Sequence, residues 1–278
     1  VAHLGALVND YNELYNTLQE ALRRTREQIQ QALQQALSEQ GAKRELVIQA
    51  QQAYEQKRQE PEYTPPRSAH RQQARRYLAE HGIAAQPFYT LVDFASDIDS
   101  QSPFAGGIEQ ALEDAGLLDA LVVAPADSAK ASALLASAGL SDCYLDITQF
   151  TQPAEQPTSA TTTSLLRIDP ALQEVPADYE RYAASCQAII QTLESSIYPK
   201  LVSSRDTTSG ATWQHGLLSG TTGQGTARSI GKANRIREQQ QVIEALYQRW
   251  QALSIELATI EEHIQALTQQ QQEQETLL

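Results

Sequence analysis

Apolar residues recur at Ile236, Ile243, Trp250, Leu257 and Ile264, one every seven positions, with Leu246, Leu253, Ile260 and Leu267 in the complementary places. A 3–4 stripe kept up over four heptads buries a seam against another helix, which is the pattern of a coiled coil. The opposite end of the chain answers it. Leu4, Tyr11 and Leu18 form one series with Leu7 and Leu14 between them, and the seam then moves to Leu22, Ile29 and Ala36, as a four-residue stutter would move it. Two such stretches at the two ends of one chain can close their seam on each other. The sequence therefore predicts an antiparallel intramolecular coiled coil with an α/β domain inserted in it, mostly α overall. On this reading Leu14 lies near Leu267.

Composition changes divide the chain further. Residues 1–60 read as the ascending arm: Gln-, Glu- and Ala-rich, free of proline, with Gly41 a weak point. Pro61, Pro65 and Pro66 end it, and 61–82 form a neck with a short helix, capped by Ser68 and stopped by Gly82. Residues 83–150 read as a first α/β half. "QPFYTLVDFA" is a strand, and Gly106 and Gly107 mark a loop before a helix. Ala120–Ala124 is a buried strand, Asp127 caps a second helix, and "CYLDI" is a further strand. Residues 151–164 have linker composition. Residues 165–228 read as a second half: a short strand, a helix with Tyr182, Cys186, Ile189, Ile190, Leu193 and Ile197 on one face, then a strand running into a glycine-rich turn. Residues 229–278 return as the second arm.

Charge and cysteine content narrow the function. The chain carries a net charge of −13, and the stretch Ile83–Ser204 holds 16 acidic against four basic residues. By itself that stretch repels nucleic acid. Two cysteines, Cys143 and Cys186, without C-x-x-C spacing, suit a reducing cytoplasm and exclude a disulfide framework or a zinc hook. No apolar run reaches the ~20 residues of a membrane span. No signal peptide is evident. A chain that starts at Val1 and has no Met reads as a piece of a longer protein.

The order of parts resembles the hinge region of SMC proteins: coil, two small α/β halves joined by a linker, coil. "FYTLVDFA…GGIEQALEDAGLLDALVVAPADSAKASALLASAGLSDCYLDI" is similar to the first hinge half, and "GATWQHGLLSGTTGQGTARSIGKANRIREQQQVIEAL" to the end of the second. "PFYTLVDFA" and "ARSIGKANR" resemble the SMC-like subunit of Wadjet-type plasmid-defence systems, related to the MukB and MksB condensins. The resemblance implies a homodimer through the hinge and an ATPase head outside this segment. It also implies kleisin-type partner subunits, action on double-stranded DNA, and a bacterial, nucleoid-associated cytoplasmic location. It implies no cofactor and no enzymatic activity in this segment. The glycines are sparser than the usual hinge pattern. Gly216, Gly220, Gly223 and Gly225 are the candidate dimer interface on that resemblance.

Two clusters of cations stand out. Arg67, Arg71, Arg75 and Arg76 precede the acidic segment, and Arg228, Lys232, Arg235 and Arg237 follow it. Arg67, Arg71 and Arg75 share one helical face at i, i+4 and i+8. Phosphate binding needs such convergence; ion pairing to neighbouring glutamates is the alternative. Gly220–Gly225 lacks the G-x-x-x-x-G-K-[ST] order of a phosphate loop, the histidines lack metal-ligand spacing, and no G-x-S-x-G is present. A protein-binding α/β module on a coiled-coil spacer is the competing reading, and a small-ligand enzyme built on the glycine turn a weaker third.

Overall fold

A computed structural model describes residues 2–145, 164–196, 212–215, 218–223 and 225–276. The chain divides into two compact units, one made of residues 1–59 with 241–278, the other of 60–240.

The first unit pairs α1 (Ala2–Gln59) with the returning helix, which runs Lys232–Thr276. Arg26 lies 3.8 Å from Glu275, Gln40 Nε2 donates to Glu261 at 3.0 Å, and Lys43 meets Glu256 at 2.6 Å. Tyr54 stacks on Trp250 with ring centres 5.8 Å apart. One number rises as the other falls, so the helices are antiparallel. Exposed ion pairs contribute at most about 1 kcal/mol each; the seam holds the pair. Ala36, Ala50 and Leu267 are buried, while Leu22, Ile29, Leu33, Val47, Ile243, Leu246, Trp250, Leu253, Leu257, Ile260 and Ile264 are half-buried. On these contacts the returning helix, described to Thr276, lies opposite the stretch of α1 from about residue 25 onward. Tyr11, Leu14 and Leu18, short of that stretch, are exposed. Gly41 does not interrupt α1. The contacts put Leu267 across from the stretch near Gln34, so it stands about 30 Å along the axis from Leu14 at 1.5 Å per residue. The expected Leu14–Leu267 proximity is corrected accordingly.

In the second unit, α2 (Ala69–Glu80) begins where Ser68 Oγ accepts the Arg71 N–H, and it ends at Gly82, whose φ of +73° only glycine adopts freely. β1 (Ala85–Pro87), β3 (Leu121–Val123) and β4 (Tyr144–Leu145) form a sheet of order β1-β3-β4, antiparallel then parallel. The strand foreseen across "QPFYTLVDFA" is instead two strands. Pro87 sets φ at −62°, the four-residue turn α3 (Phe88–Leu91) follows, and β2 (Val92–Phe94) leaves for another sheet. There β2 pairs antiparallel with β5 (Leu166–Ile168), Val92 opposite Ile168. The two α/β halves thus exchange a strand pair and share one core.

That core gathers Phe88, Leu91, Phe94, Ile108 and Leu112 from the first half with Leu166, Tyr182, Ile190, Trp213 and Ala227 from the second, and Ile230 just after it. A smaller cluster lies on the other side of β3, where α2 supplies Ala74 and Leu78 and α5 (Ser128–Ser137) supplies Ala131 and Leu135. The two-residue period of β3 distributes it: Leu121 and Val123 enter the small cluster, Val122 the large one. Asp127 does not cap α5 with its side chain; a 3₁₀ turn, Pro125–Asp127, leads into the helix.

Gly106 and Gly107 lie inside α4 (Pro103–Asp114) and not in a loop before it. Ser102 and Pro103 start that helix, and the glycines serve close approach. α6 (Pro176–Ser196) buries Tyr182, Cys186, Ile189, Ile190 and Leu193, and burial pushes the Cys186 thiol up to about 12. Ile197 lies outside the described residues, as does the linker apart from Ser164. β6 (Thr212–His215) and β7 (Leu218–Thr221) form a two-stranded hairpin. The returning helix, α7 (Lys232–Thr276), has its first turns in this unit, where Ile236 is exposed.

Candidate functional site

The first arginine cluster turns into the domain. Arg67 and Arg71 stand on the approach to and the first turn of α2, and Arg75 one turn later. Arg67 Nε and Nη2 donate to the Asp119 carboxylate at 2.7–3.0 Å, and Nη2 also reaches the Tyr89 hydroxyl at 2.9 Å. Arg71 Nε donates to Asp142 at 2.6 Å and Nη2 to the Asp119 carbonyl at 3.1 Å. Arg75 bridges both: Nε to Asp142 at 2.7 Å, Nη1 to Asp119 at 3.0 Å. The i, i+4, i+8 row is therefore an ion-pair row, answered by aspartates just before β3 and β4 and not by the glutamates of its own helix. Burial opposes ionisation of Asp119, but hydrogen bonds and charge from Arg67 and Arg75 hold its carboxyl below the usual value. Arg76, on the other side of α2, is exposed.

The second cluster divides in the same way. Arg235 is buried; its guanidinium donates to Glu62 at 2.6 Å and to the carbonyls of Tyr89 and Ser229 at 3.2 Å, and lies 3.6 Å from Asp169. Arg237 donates to Asn234 and to the Ala227 carbonyl, both at 2.9 Å. Arg228 and Lys232 are exposed, Arg228 standing 3.8 Å from Glu238. The clusters meet at Tyr89, whose ring lies 5.9 Å from the Arg67 guanidinium and 6.0 Å from that of Arg235. Of the eight candidates, Arg76, Arg228 and Lys232 present their charge outward; the other five spend donors on the protein itself.

The glycines also have internal uses. A side chain on Gly220 would meet the Trp213 indole across the hairpin, at 2.5 Å from Nε1. Gly223 donates its N–H to Gln110 of α4 at 2.6 Å. The Gly225 carbonyl occupies the space a side chain on Gly106 would need, whereas Gly225 itself faces open space. Gly216 lies outside the described residues. The turn's Gly223 N–H is thus engaged within the protein. Among the described residues no group of three His, Cys, Asp or Glu is placed to hold a metal ion, and no helix is long and apolar enough to cross a membrane.

Sequence reasoning missed Asp119, Asp142, Glu62 and Glu109. Their common signal is position: Asp119 and Asp142 lie just ahead of β-strand patterns whose starts share one end of a sheet, opposite the arginine row. Glu109 stands on α4 with 7% of its surface exposed and accepts the N–H groups of Arg228, Ser229 and Ile230. Burial pushes its carboxyl above the usual value, against the pull of those three N–H groups.

No family model matches the chain, and no curated protein does. Among solved structures it is similar to the "Pyrococcus furiosus Smc hinge domain with an extended coiled coil", at 14% identity and a TM-score of 0.31 over 92% of each chain. At that TM-score the two folds do not superpose closely.

Proposed function

We propose that the chain is the dimerising hinge of an SMC-like subunit, with α1 and α7 as the beginnings of its arms. The observation that carries the reading is the antiparallel pairing of α1 with α7 inside one molecule, with a compact α/β unit, Glu60–Gln240, between them in sequence. On this reading the unit that stands between the two arms in sequence is the one that joins two copies.

The hairpin offers the joining edge. Neither β6 nor β7 pairs with any other described strand, and Leu218 on β7 is 52% exposed. An open edge strand recruits another strand, and a second copy of Gly216–Gly225 is the partner this reading assigns. Light scattering of the isolated chain tests it: twice the chain mass of 30.7 kDa is expected. A monomer at all concentrations discards it in favour of the protein-binding module on a spacer.

The finer assignment follows from the sequence resemblance. The segment itself performs no catalysis and takes no cofactor. The ATPase head and kleisin-type partners lie elsewhere in the assembly, a DNA-loop-extruding machine of the nucleoid acting in chromosome organisation or, for the Wadjet subgroup, plasmid defence. DNA contact at the ends of the hinge unit falls to Arg76, Arg228 and Lys232. ATP-dependent DNA compaction by the full-length subunit with its partners tests the wider role; a full-length protein without ATPase activity ends it.

A further inference from the structure

Between β7 and α7 the described residues, 222–223 and 225–230, run as a strap with neither helix nor strand. Buried backbone N–H groups need acceptors, and a strap without a ladder must find them elsewhere. Three successive ones find a single carboxylate. The N–H groups of Arg228, Ser229 and Ile230 point at Glu109 with distances of 2.9–3.1 Å, across about 120 positions of sequence. Converging backbone N–H groups of this kind make an anion-binding nest. Here the anion is built into the protein.

The rest of the α4 face receives the strap with little side-chain bulk. Gly106 admits the Gly225 carbonyl, Gly107 touches Thr222, and Gln110 accepts the Gly223 N–H. The strap's carbonyl side faces the other way. Ala227 O accepts from Arg237, Ser229 O from Arg235 and Ile230 O from Asn234. So α4 holds the N–H side of the strap through one charged group, and the first turns of α7 hold its C=O side.

We propose that Glu109 is a latch: it ties the strap to α4 and thereby couples the β6–β7 hairpin to the root of α7. With the carboxylate gone, the strap keeps its bonds to α7 and loses its charged anchor on α4. The coupling rests on reading the hairpin as the self-association edge; the latch does not.

Amide hydrogen exchange on the full chain tests it, comparing the native protein with Glu109→Ala and Glu109→Gln. Charge-assisted hydrogen bonds are strong enough that the N–H groups of 228–230 should exchange about tenfold faster in Glu109→Ala, while β3 and α5 exchange unchanged. The hairpin amides 212–215 should lose protection in step. Glu109→Gln keeps one acceptor oxygen and should fall between, which serves if the alanine variant folds poorly. Formate fits the vacated nest and should restore protection in Glu109→Ala while leaving the native protein unaffected. Equal exchange at 228–230 in native and variant proteins overturns the latch, as does a uniform rise everywhere. A protected hairpin above an unprotected strap overturns the coupling. Light scattering on the same samples separates the two readings: a native monomer with protected 228–230 amides sinks the hinge and keeps the latch.

Discussion

Arg75 holds Asp119 by main chain and side chain, Nη2 donating to its carbonyl at 2.6 Å and Nη1 and Nη2 to its carboxylate at 3.0 Å. The same carboxylate takes Arg67, so one side chain anchors the neck to the start of β3, the middle strand of its sheet.

Asp119→Asn should therefore take the carboxylate away from the half-buried Arg67 guanidinium and leave Arg75 only Asp142 as its anion. Hydrogen bonds to a charged group contribute about 1.5–3 kcal/mol, so the variant should lose on the order of 2 kcal/mol, read as a shift in the denaturant midpoint at neutral pH. The acid dependence has a defined sign. A carboxyl held below its usual 3.8 in the folded protein stabilises above that value and loses its contribution as pH falls through the lowered one. The native protein should lose stability there and the variant should show a flatter profile. A variant as stable as the native protein at neutral pH contradicts the account.

Glycine positions divide into those where a methyl group meets backbone or ring and those where it meets solvent. Gly106→Ala would collide with the Gly225 carbonyl, and Gly220→Ala with Trp213. Overpacking of this kind costs about 1–3 kcal/mol. Gly225→Ala, with nothing within 4 Å, should be close to neutral. Thermal unfolding of the three variants checks the order, and a Gly225 variant less stable than the Gly106 variant reverses it.

The heptads were legible because a coiled coil states its contacts in its own period: every position the spacing names from Ile243 to Leu267 is half-buried or buried. Caps were legible for the same local reason, as Ser68 and Gly82 illustrate. What lay hidden was long-range. Pairing of Val92 with Ile168 and of Arg75 with Asp119 depends on which segments meet, and nothing in either segment alone encodes its partner. Gly106 misled because glycine in a helix costs about 1 kcal/mol, and only the Gly225 carbonyl against it explains its use. The hidden register of α1 had a different cause. Its apolar series around Tyr11 and Leu14 is as regular as the one from Leu22 onward, so the period alone does not say which stretch faces Leu267; the Gln40–Glu261 and Arg26–Glu275 contacts do.

That register gives a direct measurement. With Cys143 and Cys186 replaced by serine, spin labels at Gln40 and Glu261 should report a short distance, since the native side chains are hydrogen-bonded at 3.0 Å. Labels at Leu14 and Leu267 should report about 30 Å from the helical rise alone. Short distances for both pairs would overturn the register.

The cations that face outward set the last test. Each phosphate contact adds to the slope of binding affinity against salt, and losing one lowers that slope by roughly 1. Arg76, Arg228 and Lys232 are exposed, so replacing all three by Glu should leave the thermal midpoint nearly unchanged while duplex binding weakens and its salt slope falls. Arg71→Ala behaves oppositely: its guanidinium serves Asp142 and the Asp119 carbonyl, so stability falls and the slope stays. If duplex binding survives the triple reversal with its slope intact, the contact lies elsewhere. If it follows Arg71 instead, the ion-pair row opens toward phosphate, and the internal role given to it here is wrong.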